Sequence, residues 1–313
     1  LSEDQPKSLN SFSIQVIAQI GKIFGWSLNQ IINNEQLSMN TSILGNIKFK
    51  APKKVSQKRT LAYTFYSNYL GQIIFKSTEH LKQIELPDNP YKIREKILNK
   101  YSSINIENSL RFFWDAGIPV LSINEPGGFH GLFIRKKGRS LLIINHRTKS
   151  PALWLFSLFH ELRHVILHQH DIEDKIVEIE DLQNLTIEDE ESFNEEVEAS
   201  LFSGAVLLGE APDPLIHKCL EEANYNLPYL KQVVINVAKK EGVQVDVLAN
   251  LVAFKVAQDG QNFWGSARNL QKTEEDIQKI ARDVLLNYID FSRISSLDLD
   301  LLRRALISYN SKT

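Results

Sequence analysis

One short polar run inside an apolar helix constrains this chain more than any other feature. His160-Glu161-Leu162-Arg163-His164 follows Leu153, Trp154, Leu155, Phe156, Leu158 and Phe159 and precedes Val165, Ile166 and Leu167. Pro151 opens the segment, at the helical position that tolerates proline best. Two histidines and a glutamate buried among such residues are costly unless they find partners. The spacing offers one. Residues i and i+4 lie on one helix face about a turn apart, so both imidazoles reach a single ion. The glutamate after the first histidine then stands beside that ion without ligating it, placed to take a proton from an activated water. The pattern H-E-x-x-H therefore nominates His160 and His164 as metal ligands and Glu161 as the general base.

A third ligand is needed, and two nearby histidines fail the test. His168 continues the i, i+4 series, but eight residues of helix cover about 12 Å, too far for one ion to meet both His160 and His168. His170 stands where H-E-x-x-H-x-x-G-x-x-H has its last histidine, yet Leu167 occupies the glycine position and the only methionine, Met39, lies upstream. The remaining solution is a glutamate from a later helix. Asn194 to Leu208 reads as that helix and offers Glu195, Glu196 and Glu198. Glu196 shares its face with Ala199, Ser200 and Ser203, small residues that permit close approach. Glu198 shares its face with the bulkier Phe202. Glu196 is the favoured ligand, with Glu195 and Glu198 open.

Around this centre the pattern changes along the chain. Ser11 to Ile32 carries apolar residues at helical spacing, interrupted by Gly25-Trp26-Ser27, as two helices about a tight turn would. Gly21-x-x-x-Gly25-x-Ser27 loosely resembles a helix-turn-helix, although a plain helical hairpin reads the same way. Lys48 to Lys58, with Pro52, reads as a linker, and Arg59 to Leu81 as an aromatic-rich helix. Gly131 to Arg135 and Ser140 to Asn145 flank Lys136-Lys137-Gly138-Arg139 as a β-hairpin, and Val120 to Asn124 is strand-like. Helical patterns dominate from Pro151 onwards. The expected fold class is α+β: a mostly helical domain with a small antiparallel β-sheet, flanked by helical segments. The divisions expected are an N-terminal helical segment and basic linker over 1–57, a metallopeptidase-like domain over 58–265 and a C-terminal helical extension over 266–313.

At these residues the chain resembles the ImmA/IrrE family of zinc metallopeptidases. That family pairs an H-E-[LI]-x-H helix with a downstream E-x-E-A-[ND]-x-F-A-x-x-L-L segment, matched here by Glu196-Val-Glu-Ala-Ser-Leu-Phe-Ser-Gly-Ala-Val-Leu-Leu208. Val237 to Ala249 is similar to the helical segment after the family's catalytic core, and Phe263-Trp-Gly265 and Ile280-Ala-Arg-Asp283 to the tail of its longer members. There are two departures: Arg163 stands where the family has glycine, putting a cation beside the site, and Ser200 stands where it has Asn or Asp, weakening an expected orienter of the ligands. The resemblance implies one Zn²⁺ per chain and site-specific cleavage of a regulatory protein, a helix-turn-helix repressor, releasing stress, mobile-element or defence genes. The alternative is a non-catalytic DNA-binding regulator or interaction scaffold with a vestigial metal site; direct contact with nucleic acid is the lesser expectation.

Charge distribution bears on the partner. No acid occurs from Gln36 to Thr78, where Lys48, Lys50, Lys53, Lys54, Lys58, Arg59 and Lys76 are basic. From Asp171 to Glu198 there are 13 acids against the single base Lys175. An acidic strip after the paired histidines suits a basic, DNA-binding substrate, and the hairpin before them is expected to present an edge strand on which an extended substrate segment adds. Cys219 is the only cysteine, which excludes an intramolecular disulfide and any Cys-rich metal site. No apolar run spans a bilayer and no basic segment followed by an apolar one opens the sequence, so a cytoplasmic protein without membrane contact is expected.

Overall fold

The computed structural model describes residues 11–39, 46–48, 57–124, 131–145, 148–171, 175–179, 190–272 and 276–306. The N-terminal pair is α1 (Ser11–Phe24) and α2 (Leu28–Ile32). Its small residues are used by the turn itself. Gly25 takes φ 73° and Trp26 N–H donates to the Gly21 carbonyl at 2.8 Å, a Schellman stop for α1. Ser27 then caps α2: its Oγ accepts from Gln30 N–H at 3.2 Å, and Gln30 Oε1 accepts from Ser27 N–H at 2.8 Å. A Cβ on Gly21 would lie 2.5 Å from the Trp26 carbonyl oxygen. The spacing Gly21-x-x-x-Gly25-x-Ser27 is thus accounted for by local capping. The basic linker falls largely outside the described residues.

The body begins with α3 (Gln57–Ser77), α4 (Pro90–Tyr101) and α5 (Ile106–Asp115), followed by β2 (Val120–Ser122), β3 (Gly131–Lys136) and β4 (Arg139–Ile144). The short strands β1 (Asn46–Lys48) and β5 (Lys175–Ile179) complete one sheet in the order β1-β5-β3-β4-β2. The expected hairpin is its centre, with Phe133 opposite Leu142 and a turn through Lys137 and Gly138, both at positive φ. The mostly helical α+β architecture stands as expected, but the sheet is mixed: β2 joins β4 in parallel, and β1 joins β5 in parallel. The hairpin presents no free edge, because β5 pairs with β3 on one side and β2 with β4 on the other. Leu141 to Ile144 are all buried although consecutive strand residues face opposite ways, so both faces of β4 are covered; α3 and α6 (Pro151–Leu167) pack against it.

The second half is helical: α7 (Glu190–Leu208), α8 (Pro212–Glu222), α9 (Leu227–Glu241), α10 (Val245–Gln258), α11 (Trp264–Arg268), α12 (Ile277–Leu286) and α13 (Ser296–Leu306). Almost all of α10 is buried, against α6, α7, α8, α9 and α11. The C-terminal helices pack back on the body, α12 on α5 and β2 and α13 on α3. Tyr288 Oη donates to Asp115 at 2.5 Å there, and Tyr69 Oη donates to Asp298 at 2.7 Å. Among the described residues no helix is long and apolar enough to cross a membrane.

Candidate metal centre

Two helices build the site, and each is pinned at an end. Ser150 caps α6, its Oγ accepting from Leu153 N–H at 3.1 Å and donating to Gln271 Oε1 at 2.6 Å. Gln271 in turn donates to the Ala267 carbonyl at 2.8 Å, which ties the start of α6 to α11. Past the other end, buried Arg135 of β3 donates to the carbonyls of Gln169 at 2.6 Å and Asp171 at 2.9 Å. The last turn of α7 is held the same way, by Arg94 donating to Val206 and Leu207 carbonyls at 2.7 and 2.8 Å. Cations at helix C-termini satisfy carbonyls that have no partner within the helix and suit the local dipole.

Between these anchors α6 and α7 lie face to face through small residues. Ala199, Ser200 and Ser203 are buried, and Ser203 Oγ donates to the Phe156 carbonyl of α6 at 2.8 Å. This closeness brings Glu196 onto the paired histidines. His160 Nε2 lies 2.9 Å from Glu196 Oε2, His164 Nε2 lies 3.6 Å from Glu196 Oε1, and the two Nε2 atoms are 3.3 Å apart. Metal bonds of about 2.1 Å at a tetrahedral angle separate their donor atoms by roughly 3.4 Å, so two imidazole nitrogens and one carboxylate at these distances fit a zinc-type ion. Among the described residues this is the group of histidines and acids that could hold one.

Burial acts to raise the Glu196 carboxyl, but hydrogen bonds from His160 and His164, and the charge on those rings, outweigh it and hold the group well below the ordinary carboxylate range. The carboxylate is anionic at neutral pH, the form a metal needs. Ser200 Oγ lies 3.2 Å from His160 Nδ1, the nitrogen on the far side of the ring. Glu161 is buried on α6, one position after His160.

The other sequence candidates go elsewhere. Glu198 Oε1 accepts from Arg163 Nη2 at 2.6 Å, and Arg163 Nη1 pairs with Asp88, so the arginine that replaces a glycine is neutralised by two carboxylates and lies over the Phe202 ring. Glu195 is exposed. His168 pairs with Asp171 at 3.0 Å and stacks on Phe133. His170 is exposed, 3.7 Å from Glu85. Asp88 and Gln169 escaped sequence reasoning. The Gln169 amide both accepts from Leu86 N–H at 3.1 Å and donates to its carbonyl at 3.2 Å, fastening the loop before α4 to the end of α6. Those partners are 75 and 83 residues apart in the chain, and no local pattern announces them.

Residues 106–252, from the first residue of α5 into α10, match the family model described as the IrrE N-terminal-like domain (Peptidase_M78). No curated protein and no solved structure matches the chain significantly. The matched segment contains both the paired-histidine helix and the glutamate helix, so the part of the chain that carries the candidate site is similar to the IrrE N-terminal-like domain of the ImmA/IrrE peptidases.

Proposed function

We propose that this protein is a zinc-dependent endopeptidase acting in the cytoplasm, and that its substrate is a basic helix-turn-helix repressor. The observation that carries the reading is the convergence of His160 Nε2, His164 Nε2 and the Glu196 carboxylate at donor spacings suited to one tetrahedral ion. His160, His164 and Glu196 would hold Zn²⁺, which when bound polarises a carbonyl and lowers the pKa of water towards neutrality. The chain supplies the proton traffic. Glu161 takes a proton from the attacking water and returns it to the leaving amine nitrogen, so peptide cleavage needs no second base. The class of substrate rests on the family resemblance and on the acid-rich stretch between α6 and α7; within it the structure describes only Asp171, β5 and the start of α7.

The test is to incubate the purified protein with candidate basic helix-turn-helix repressors from the same organism and to read cleavage by intact mass. The wild type is expected to cut at one bond, whereas Glu161→Gln retains one metal per chain and the wild-type fold but no cleavage. Cleavage by the variant at the wild-type rate removes Glu161 from the mechanism. If the wild type binds the repressor and metal yet never cuts it, a non-catalytic regulator is the better description.

A further inference from the structure

The sheet has one edge whose cover is short. β5 turns one side to β3, antiparallel, and the other to β1, in parallel. β1 runs only from Asn46 to Lys48, in register with Lys175, Ile176 and Val177, and packs chiefly on β5. Three residues of parallel pairing make a weak contact, whereas the central hairpin is paired over six. This edge also lies near the metal centre. His168, one turn past His164 on α6, stacks on Phe133 of β3, and Arg135 of β3 donates to the carbonyls of Gln169 and Asp171. Phe133 is in register with Val177, and Val177 with Lys48. A chain on the edge therefore runs two strand spacings, about 10 Å, from the strand on which the end of the histidine helix rests.

The two charge runs of the sequence meet at this pairing. β1 belongs to the stretch from Gln36 to Thr78 that has no acid, and β5 to the stretch from Asp171 to Glu198 whose single base is Lys175. The register sets uncharged Asn46, and not a lysine, against Lys175. A strand added to a sheet edge gains main-chain hydrogen bonds whatever its sequence, and charge then selects among the candidates.

We propose that the outer edge of β5 is the docking edge for an extended, lysine-rich segment of a protein partner, and that β1 is the chain's own stand-in, which such a segment displaces. The proposal rests on the peptidase reading above only in taking that partner to be the substrate. A segment tethered in the same chain faces the edge at an effective concentration on the order of millimolar, so it outcompetes a free peptide supplied at micromolar concentration. Breaking β1 removes that competition and opens the edge.

The probe is a fluorescein-labelled peptide with the sequence of residues 44–50, Leu-Gly-Asn-Ile-Lys-Phe-Lys, and its binding is read by anisotropy. Ile47→Pro with Lys48→Pro removes two successive N–H groups of β1, one of which faces β5 because strand donors alternate. Ile47→Cys with Ile176→Cys, partners in register, locks β1 in place when oxidised. The double-proline variant is expected to bind the peptide about 10-fold more tightly than the wild type, as for an edge otherwise open about a tenth of the time. The oxidised double-cysteine protein should not bind it, and reduction should restore the wild-type affinity. Added salt should weaken binding, and a peptide carrying Lys48→Glu and Lys50→Glu should lose most of its affinity. Equal affinities for wild type and the double-proline variant, no binding by either, or undiminished binding to the oxidised protein overturn the docking edge. Equal binding of the acidic peptide overturns the choice of a basic partner. The peptide should bind with or without zinc, so a wild type that takes up no zinc overturns the metal reading alone. Should the double-proline variant fail to fold, the oxidised and reduced states of the double-cysteine protein still decide.

Discussion

The α6–α7 pair and the α1–α2 hairpin both carry a spaced pattern that reads as a functional motif, and the structure uses the two in opposite ways. In α1–α2 every patterned residue serves its own turn: Gly25 supplies the left-handed stop, Gly21 makes room for the Trp26 carbonyl, and Ser27 caps the next helix. Partner and motif lie within ten residues. In α6 the patterned residues look outward to another element. His160 meets Glu196 and Ser200, and Arg163 meets Asp88 and Glu198, across 35 to 75 residues of chain. The hairpin also leaves Ile14, Val16, Ile20 and Ile32 exposed, whereas His160, Glu161 and Arg163 are buried. A motif whose polar residues are buried and answered from elsewhere in the chain brings reactive groups together, and one answered by its own caps sets the local path of the backbone.

The contrast can be broken most decisively at the proposed ligands. His164→Ala and Glu196→Ala are each expected to abolish stoichiometric zinc, read by metal analysis of the dialysed protein, while Glu198→Ala keeps it. Loss with Glu198→Ala and retention with Glu196→Ala would move the ligand to the residue now paired with Arg163. A smaller effect is expected in the hairpin. Gly21→Ala forces a Cβ against the Trp26 carbonyl and should loosen α1–α2 by about 1–3 kcal/mol, seen as faster amide exchange there. Zinc affinity should not change; if it does, the two regions are coupled and the contrast fails.

Within the site region, Glu198→Ala should cost only about 1 kcal/mol in urea unfolding. Arg163 keeps Asp88, and a carboxylate as exposed as Glu198 is well screened. A loss of several kcal/mol would mean that Arg163 depends on Glu198 alone. The subtlest effect concerns Cys219 on α8, whose thiol burial, with Glu222 adding to it, pushes up to about 12. The native thiol should resist a disulfide reagent at pH 8 and react once the protein is unfolded. Because the folded state keeps that proton while the unfolded thiol ionises near 9.0, this group's contribution to stability is present below that pH and declines as pH rises from there towards about 12. Fast reaction of the native thiol would show that the core around α8 opens as readily as the hairpin does.

Helical spacing alone settled much of this protein. The i, i+4 histidines, the apolar run around them, the proline that starts α6 and the small face of α7 are local facts, legible because a helix repeats every 3.6 residues whatever surrounds it. The central β-hairpin was legible for the same reason, from alternation and a glycine turn. What local pattern could not supply was who meets whom. Which of Glu195, Glu196 and Glu198 lies against the histidines follows from the way α7 lies on α6, with Ser203 bonded to Phe156 and Glu198 drawn off by Arg163. The hairpin's loss of both edges depends on strands of three and five residues, too short to announce their partners. The sequence by itself determined the helices and the chemistry each one carries; only the tertiary structure decided which carboxylate faces the histidines, because close packing of two small-residue faces leaves room for one side chain and not its neighbours.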